Sequence, residues 1–354
     1  MGNRISAFAD SRDNNFNLIR MIAATSVLVS HAWPITLGTG TPEPLEEYVG
    51  GSLGWIAVAI FFAISGFLIA RSFDRSERVA DWFSARAVRL FPGLAVVLLL
   101  TVLILGPVVT QLPLAQYATQ PGTLTYFPRN FTLAFLQYDL PGVFVGLPYP
   151  DAINGSLWTL IYEVVCYGGV LVLGFLGLIK RPGVMIAAAV LFFAVYAAIG
   201  VLHDQNPLPQ RIVTLRNLAF PFFVGTLLYV WRHRIPLSWP IAALVVAACV
   251  LAHGTVIFPY LFIVAVSYLV FVLAYLPGGA IRAYNRIGDY SYGMYIYAFP
   301  AQQLVAFLVA PDSPWVNIAL SLPASLLCAY LSWHFVENPA LTWRKNRLAR
   351  RRVR

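Results

Sequence analysis

The chain has 354 residues, of which 59% are hydrophobic and only 11% charged, and its mean hydropathy is +0.72. A soluble domain carries roughly a quarter charged residues, so this composition cannot cover a water-facing surface and marks an integral membrane protein. The net charge of +9 does not indicate nucleic acid, because the basic residues sit in short clusters between apolar stretches, which is a topology signal.

Apolar runs of spanning length, roughly 20 residues each, are cut by charges, prolines and glycines. They fall at 16–35, 52–70, 86–107, 156–179, 182–201, 213–231, 237–253, 256–275, 290–310 and 315–337. The expected fold is therefore all-α, a polytopic bundle of about ten transmembrane helices. An even number places both ends on one side.

The basic residues test this division. With the N-terminus inside, 21 of the 24 Lys and Arg fall on the cytoplasmic side, leaving Arg129, Arg211 and Arg216 outside. The outer connections instead collect acids such as Glu43, Glu46, Glu47, Asp139, Asp151, Asp204 and Asp312. The pattern obeys the positive-inside rule. Residues 1–340 then form one membrane domain, and 341–354 a basic cytoplasmic tail suited to contact with anionic lipid. A cleaved leader is the rival reading of the first run, since Ser30-His31-Ala32 loosely resembles a cleavage site. Asp10, Asp13 and a histidine in the apolar core argue against it.

Titratable side chains inside a span are costly and mark functional sites by default. In the first run Arg20 and His31 stand eleven residues apart, about 20° past three full turns and about 16 Å along the axis. They share one face, with Arg20 near the inner end and His31 in the outer half. A structural histidine bonded to a neighbouring helix is the plainer alternative. In the second run Ser65-Gly66 allows close approach of a helix or a ligand to the backbone. At the inner end of the third run Arg86 and Arg89, three apart, project to one side; two guanidinium forks there suit a pyrophosphate, although positive-inside anchoring also accounts for them.

The long connection 108–155 is rich in aromatics, Tyr117, Tyr126, Phe127, Phe131, Phe135, Tyr138 and Tyr149, which serve equally as sugar-stacking platforms or interfacial anchors. In the fourth run Glu163 lies about two turns inside the outer end, at a depth similar to His31. An imidazole and a carboxylate at one level form the pair that orients a general base. Trp158 and Tyr162 share a face one turn apart, as a wall for a ring-shaped substrate or as plain packing. Cys166, Cys249 and Cys328 all fall in apolar runs, so neither disulfides nor a metal site is expected.

These residues together resemble the acyltransferase-3 family of membrane acyltransferases. Arg20 with His31 matches the family's first block, and Phe61-Phe62-Ala63-Ile64-Ser65-Gly66-Phe67-Leu68-Ile69 its second. Arg86, Arg89 and Pro92 match the third, and Leu157, Trp158, Leu160 and Glu163 the fourth. Gly288-Asp289-Tyr290-Ser291-Tyr292-Gly293-Met294-Tyr295 and Phe335-Val336-Glu337-Asn338-Pro339 match the last two. The chain departs from the pattern at Asn17, where many members carry an acid, and at Ala298, where many carry a histidine; roles for those side chains do not transfer.

The resemblance implies O-acyl transfer from cytoplasmic acyl-CoA, usually acetyl-CoA, to a sugar hydroxyl of an exported or lipid-linked polysaccharide, at a bacterial inner membrane. His31 and Glu163 would be catalytic; Arg20, Ser65, Arg86 and Arg89 would bind the donor; Trp158 and Tyr162 would contact the acceptor. Some members carry a fused extracytoplasmic SGNH-type domain. This chain is expected to be the stand-alone form, acting directly or through a separate extracytoplasmic partner. The competing classes are a flippase for a lipid-linked sugar, which would more typically show repeated halves, and a structural subunit of an export complex.

Overall fold

The computed structural model describes residues 4–11 and 13–352, the side chain of Arg352 excepted; Arg12 and Arg354, counted above, lie outside the described residues. All ten expected runs are helical. In chain order they are α1 (Phe16–Leu37), α2 (Leu53–Asp74), α3 (Val79–Val109), α4 (Gly155–Phe175), α5 (Met185–Gln205), α6 (Gln210–Val230), α7 (Trp239–Leu251), α8 (Phe258–Tyr275), α9 (Ser291–Val309) and α10 (Pro314–Arg351). Eight are long and apolar enough to cross a membrane. Helix α7 has only 13 residues, and α9 is diluted by polar side chains such as Gln302 and Gln303.

Two departures from the expected boundaries have local causes. Helix α3 starts at Val79 with Asp81 in its first turn, where a carboxylate favours the positive end of the helix dipole. Arg86 and Arg89 therefore sit inside the helix rather than at its start. Helices α3 and α10 each contain one wide π turn, Thr101–Leu105 and Trp333–Glu337. Each turn ends just before an X-Pro pair, Gly106-Pro107 and Asn338-Pro339. Proline has no N–H and crowds the carbonyl four residues back, and the wider turn relieves both. Beyond it α10 continues helically through the basic segment, Asn338–Arg352.

The chain folds into two compact units whose boundaries cut several helices. The first comprises residues 1–20, 58–79 and 162–287. Within it α2 and α6 meet backbone to backbone: a Cβ on Gly66 would lie 1.8 Å from the Phe222 carbonyl oxygen, and one on Gly225 2.0 Å from that of Ala63. The close approach expected at Ser65-Gly66 is thus made by a helix. Thr226 donates its hydroxyl to Phe222 O at 3.1 Å and Gly66 O at 3.3 Å. An aromatic core of Phe16, Phe67, Phe271 and Tyr275 packs beside this crossing. Buried Asn15 donates to Leu273 O and Pro277 O, satisfying carbonyls that the end of α8 leaves open.

The second unit comprises residues 21–57, 80–161 and 288–354. Here α9 and α10 run antiparallel, so close that a Cβ on Gly293 would lie 2.8 Å from the Ala329 Cα. Buried amides supply the ties that explain the polarity of α9. Gln302 donates to Leu28 O at 2.8 Å, Gln303 to Ala152 O at 2.7 Å, and Asn317 to Gln302 O at 3.2 Å. The long connection between α3 and α4 is similarly ordered. Asn130 donates to Gln137 O at 3.0 Å, and the Gln137 amide to Gly122 O at 2.8 Å. Its aromatic residues divide: Tyr117 and Tyr126 are buried, whereas Phe135 and Tyr138 are exposed.

Candidate active site

The second unit holds His31 on α1. The imidazole is half-buried and packs edge-on against Phe299 of α9, ring centres 5.4 Å apart. Phe299 in turn meets Tyr149 at 5.5 Å. The His31 Nδ1 is buried and has no hydrogen-bond partner among the described residues. Beside it, the Ser30 hydroxyl accepts the Gly54 N–H at 2.8 Å and donates to the Glu43 carboxylate.

The first unit holds Glu163 on α4, with Ser65 and Tyr167. Both hydroxyls donate to Glu163 Oε1, each at 2.7 Å. Tyr167 is four residues on from Glu163, on the same helix face. Ser65 lies beside Gly66, where the α2–α6 crossing fixes its backbone. Arg20 and Tyr162 also belong to this unit, whereas Trp158, one turn before Tyr162 on α4, belongs to the second. Its neighbour Thr159 shares a 2.7 Å hydrogen bond with the Tyr295 hydroxyl, which also donates to Ser156 O at 2.9 Å.

Arg86 and Arg89 stand three apart on α3 in the second unit. Arg89 forms an ion network, Asp289 Oδ2 lying 2.5 Å and Glu337 Oε2 3.6 Å from its guanidinium. The rings of Tyr292 and Trp333 flank it at 5.9 and 6.0 Å. Ser291 donates its hydroxyl to Asp289 at 2.5 Å, and Ser332 donates to Glu337 at 2.9 Å. The Tyr292 hydroxyl donates to Leu90 O at 2.7 Å. Three sequence blocks, at Arg89, Asp289 and Glu337, thus meet at one guanidinium. The roles of Asp289 and Glu337 escaped the sequence reading, although the signal used for Glu163, an acid at or inside an apolar run, was present at both. Farther along α10, Arg344 donates to Ser84 Oγ at 2.9 Å and to the Asp81 carbonyl.

Among the described residues no group of His, Cys, Asp and Glu is placed to hold a metal ion, and the three cysteines are free thiols.

An all-helical bundle with eight helices long and apolar enough to cross a membrane is that of a multi-pass membrane protein. The chain belongs to the acyltransferase-3 family: the family's profile, described as an acyltransferase domain, matches residues 13–334. It is an acyltransferase. It is 30% identical to the "O-acetyl transferase" of Shigella phage Sf6, with 94% of this chain and 97% of that protein covered. It is 29% identical to "Nodulation protein 10" of Rhizobium leguminosarum bv. viciae, with 96% of each chain covered. No solved structure matches it.

Proposed function

We propose that the chain is an O-acyltransferase that moves an acetyl group from cytoplasmic acetyl-CoA to a sugar hydroxyl of an exported or lipid-linked polysaccharide at the bacterial inner membrane. The observation that carries this reading is the His31 imidazole, held within an apolar helix with Nδ1 unbonded, in a chain of acyltransferase family. The O-acetyl transferase name of the phage relative supports oxygen as the acceptor atom.

In the proposed reaction His31 accepts the proton of the acceptor hydroxyl while its oxygen attacks the thioester carbonyl. The carbon–sulfur bond then breaks, and the departing CoA thiolate takes up a proton. A hydroxyl is a weak nucleophile near neutrality, and histidine is the side chain whose ordinary titration range suits the task. Glu163 supports the base. Arg20, Ser65, Arg86 and Arg89 serve the donor: Arg86 meets the CoA phosphates, and Arg89, already bound to Asp289 and Glu337, fixes the local geometry. Trp158 and Tyr162 offer the acceptor aromatic surface, and both termini lie in the cytoplasm. Transfer is direct or passes through a separate extracytoplasmic partner.

The test is mass spectrometry of surface polysaccharide from cells with and without the protein. A difference of one acetyl per repeat supports the reading, and identical masses overturn it.

A further inference from the structure

Glu43 lies in the strap between α1 and α2, and everything around it holds the carboxylate in one place. Pro42 and Pro44 flank it, and a residue before proline is confined to extended backbone. The Pro44 carbonyl accepts the Leu53 N–H at 2.7 Å, pinning the strap to the start of α2. The Glu43 N–H donates to Glu46 Oε2 at 2.9 Å, which occupies a second acid of the strap. The carboxylate itself ends a chain of donors, Gly54 N–H to Ser30 Oγ and Ser30 hydroxyl to Glu43. There is no slack at that junction, since a Cβ on Gly54 would lie 3.0 Å from Ser30 Oγ and 3.5 Å from Glu43 Oε2.

Ser30 is the residue before His31, so this anchored charge stands beside the base. The carboxylate reaches α1 through Ser30, one residue before the imidazole. Phe299 covers one edge of the ring, and Tyr149 stands behind Phe299. Burial, reinforced by the Glu43 charge, pushes the Tyr149 phenol above its ordinary value, so it stays protonated at working pH.

We propose that Glu43 is a positioning residue for His31, held by Ser30 and the α2 start so that its negative charge stabilises the imidazolium formed when His31 takes the acceptor's proton. The proposal rests on His31 being the base. It gives the base a carboxylate from its own unit, whatever Glu163 contributes, on the general logic by which a fixed acid supports a catalytic imidazole. It also explains why an acid between two prolines occupies a loop that needs no charge for closure.

The test separates this role from the reaction. Diethylpyrocarbonate modifies neutral imidazole, so the modification rate of His31 in the full-length protein in detergent, followed by peptide mass spectrometry from pH 5 to 9, reports its titration directly. With Glu43→Gln the pH of half-maximal rate falls by about one unit, the scale expected for loss of one nearby opposite charge. Polysaccharide acetylation in cells falls about tenfold. Glu43→Asp restores part of both readouts, and Ser30→Ala or Gly54→Ala, which loosen the carboxylate, reproduce a smaller shift. A purely structural role would lower acetylation and leave the His31 profile in place, and that outcome overturns the proposal. Should Glu43→Gln fail to fold, Ser30→Ala decides on the same criterion. Failure of the base assignment is visible separately, as unchanged acetylation in His31→Ala beside a profile that still shifts with Glu43→Gln.

Discussion

The Arg89 guanidinium and the Asp289 carboxylate meet at 2.5 Å, joining α3 to the turn before α9, and Glu337 completes the group from α10. Side-chain exposure is 23% for Arg89, 10% for Asp289 and 2% for Glu337, so removing one member leaves charge without compensation in a poorly solvated place. Such losses cost about 3 kcal/mol. Arg89→Ala and Asp289→Asn are expected to lower the melting midpoint of the purified protein by several degrees, while Arg89→Lys recovers only part because the fork is lost. Arg86→Ala should weaken acyl-CoA binding, measured by calorimetry. Unchanged affinity in Arg86→Ala would leave that arginine a topology anchor only.

The α2–α6 crossing makes a second prediction. Gly66→Ala and Gly225→Ala each drive a methyl into a backbone carbonyl, at 1.8 and 2.0 Å, which neither helix can avoid without sliding. Overpacking of this kind costs about 3 kcal/mol. Gly168→Ala is the control, since nothing lies within 4 Å of its added Cβ. The yield of folded protein in membranes should fall for the first two and hold for the third. A folded Gly66→Ala protein with wild-type melting would show that the helices separate readily at that point.

The helices were legible because the bilayer imposes one rule on every span: the run must be apolar, and charges gather at its ends. All ten expected runs are helical, and most boundaries differ by a few residues. Helix α9 was readable despite its polarity because Tyr, Gln and Ser were too few to break the run. What local pattern could not show is partnership. Arg89 meets acids 200 and 248 positions away, and no spacing rule links them. Glu43 read as one outer-loop acid among several, because only the folded strap singles it out. Glu163 was recognised as an intramembrane carboxylate, yet the hydroxyl of Ser65, 98 positions earlier, appears as its donor only in three dimensions. The division into two units, whose boundaries fall within α1, α2 and α4 and at the first residue of α3, has no counterpart in hydropathy at all.

The split of basic residues makes a topology prediction. Reporter fusions at the C-terminus and within residues 111–150 should report opposite sides, with the C-terminal fusion cytoplasmic. The short α7, with 13 residues, is the element on which the count turns. An exported C-terminal reporter would mean that α7 fails to cross or that another element does, and every depth argument made from the sequence would fall with it.

The remaining prediction concerns the chemistry of His31. It is the histidine placed within a span with an unbonded, buried ring nitrogen. By contrast His203 accepts the Leu208 N–H at its Nδ1, and His334 shares a hydrogen bond with the Tyr290 hydroxyl. His31→Ala is expected to reduce acetylation of surface polysaccharide by at least about a thousandfold, within the range for loss of a general base, while the protein still inserts and binds acyl-CoA. Glu163→Gln keeps a group that can accept from Ser65 and Tyr167 but removes the charge, so it should slow transfer more mildly, by about tenfold. Ser65→Ala and Tyr167→Phe, each deleting one donor to Glu163 Oε1, should fall between that value and wild type. Near wild-type acetylation in His31→Ala would refute the assignment of the base. Loss of the folded protein in that variant, judged by its melting curve, would assign the imidazole to packing against Phe299 instead.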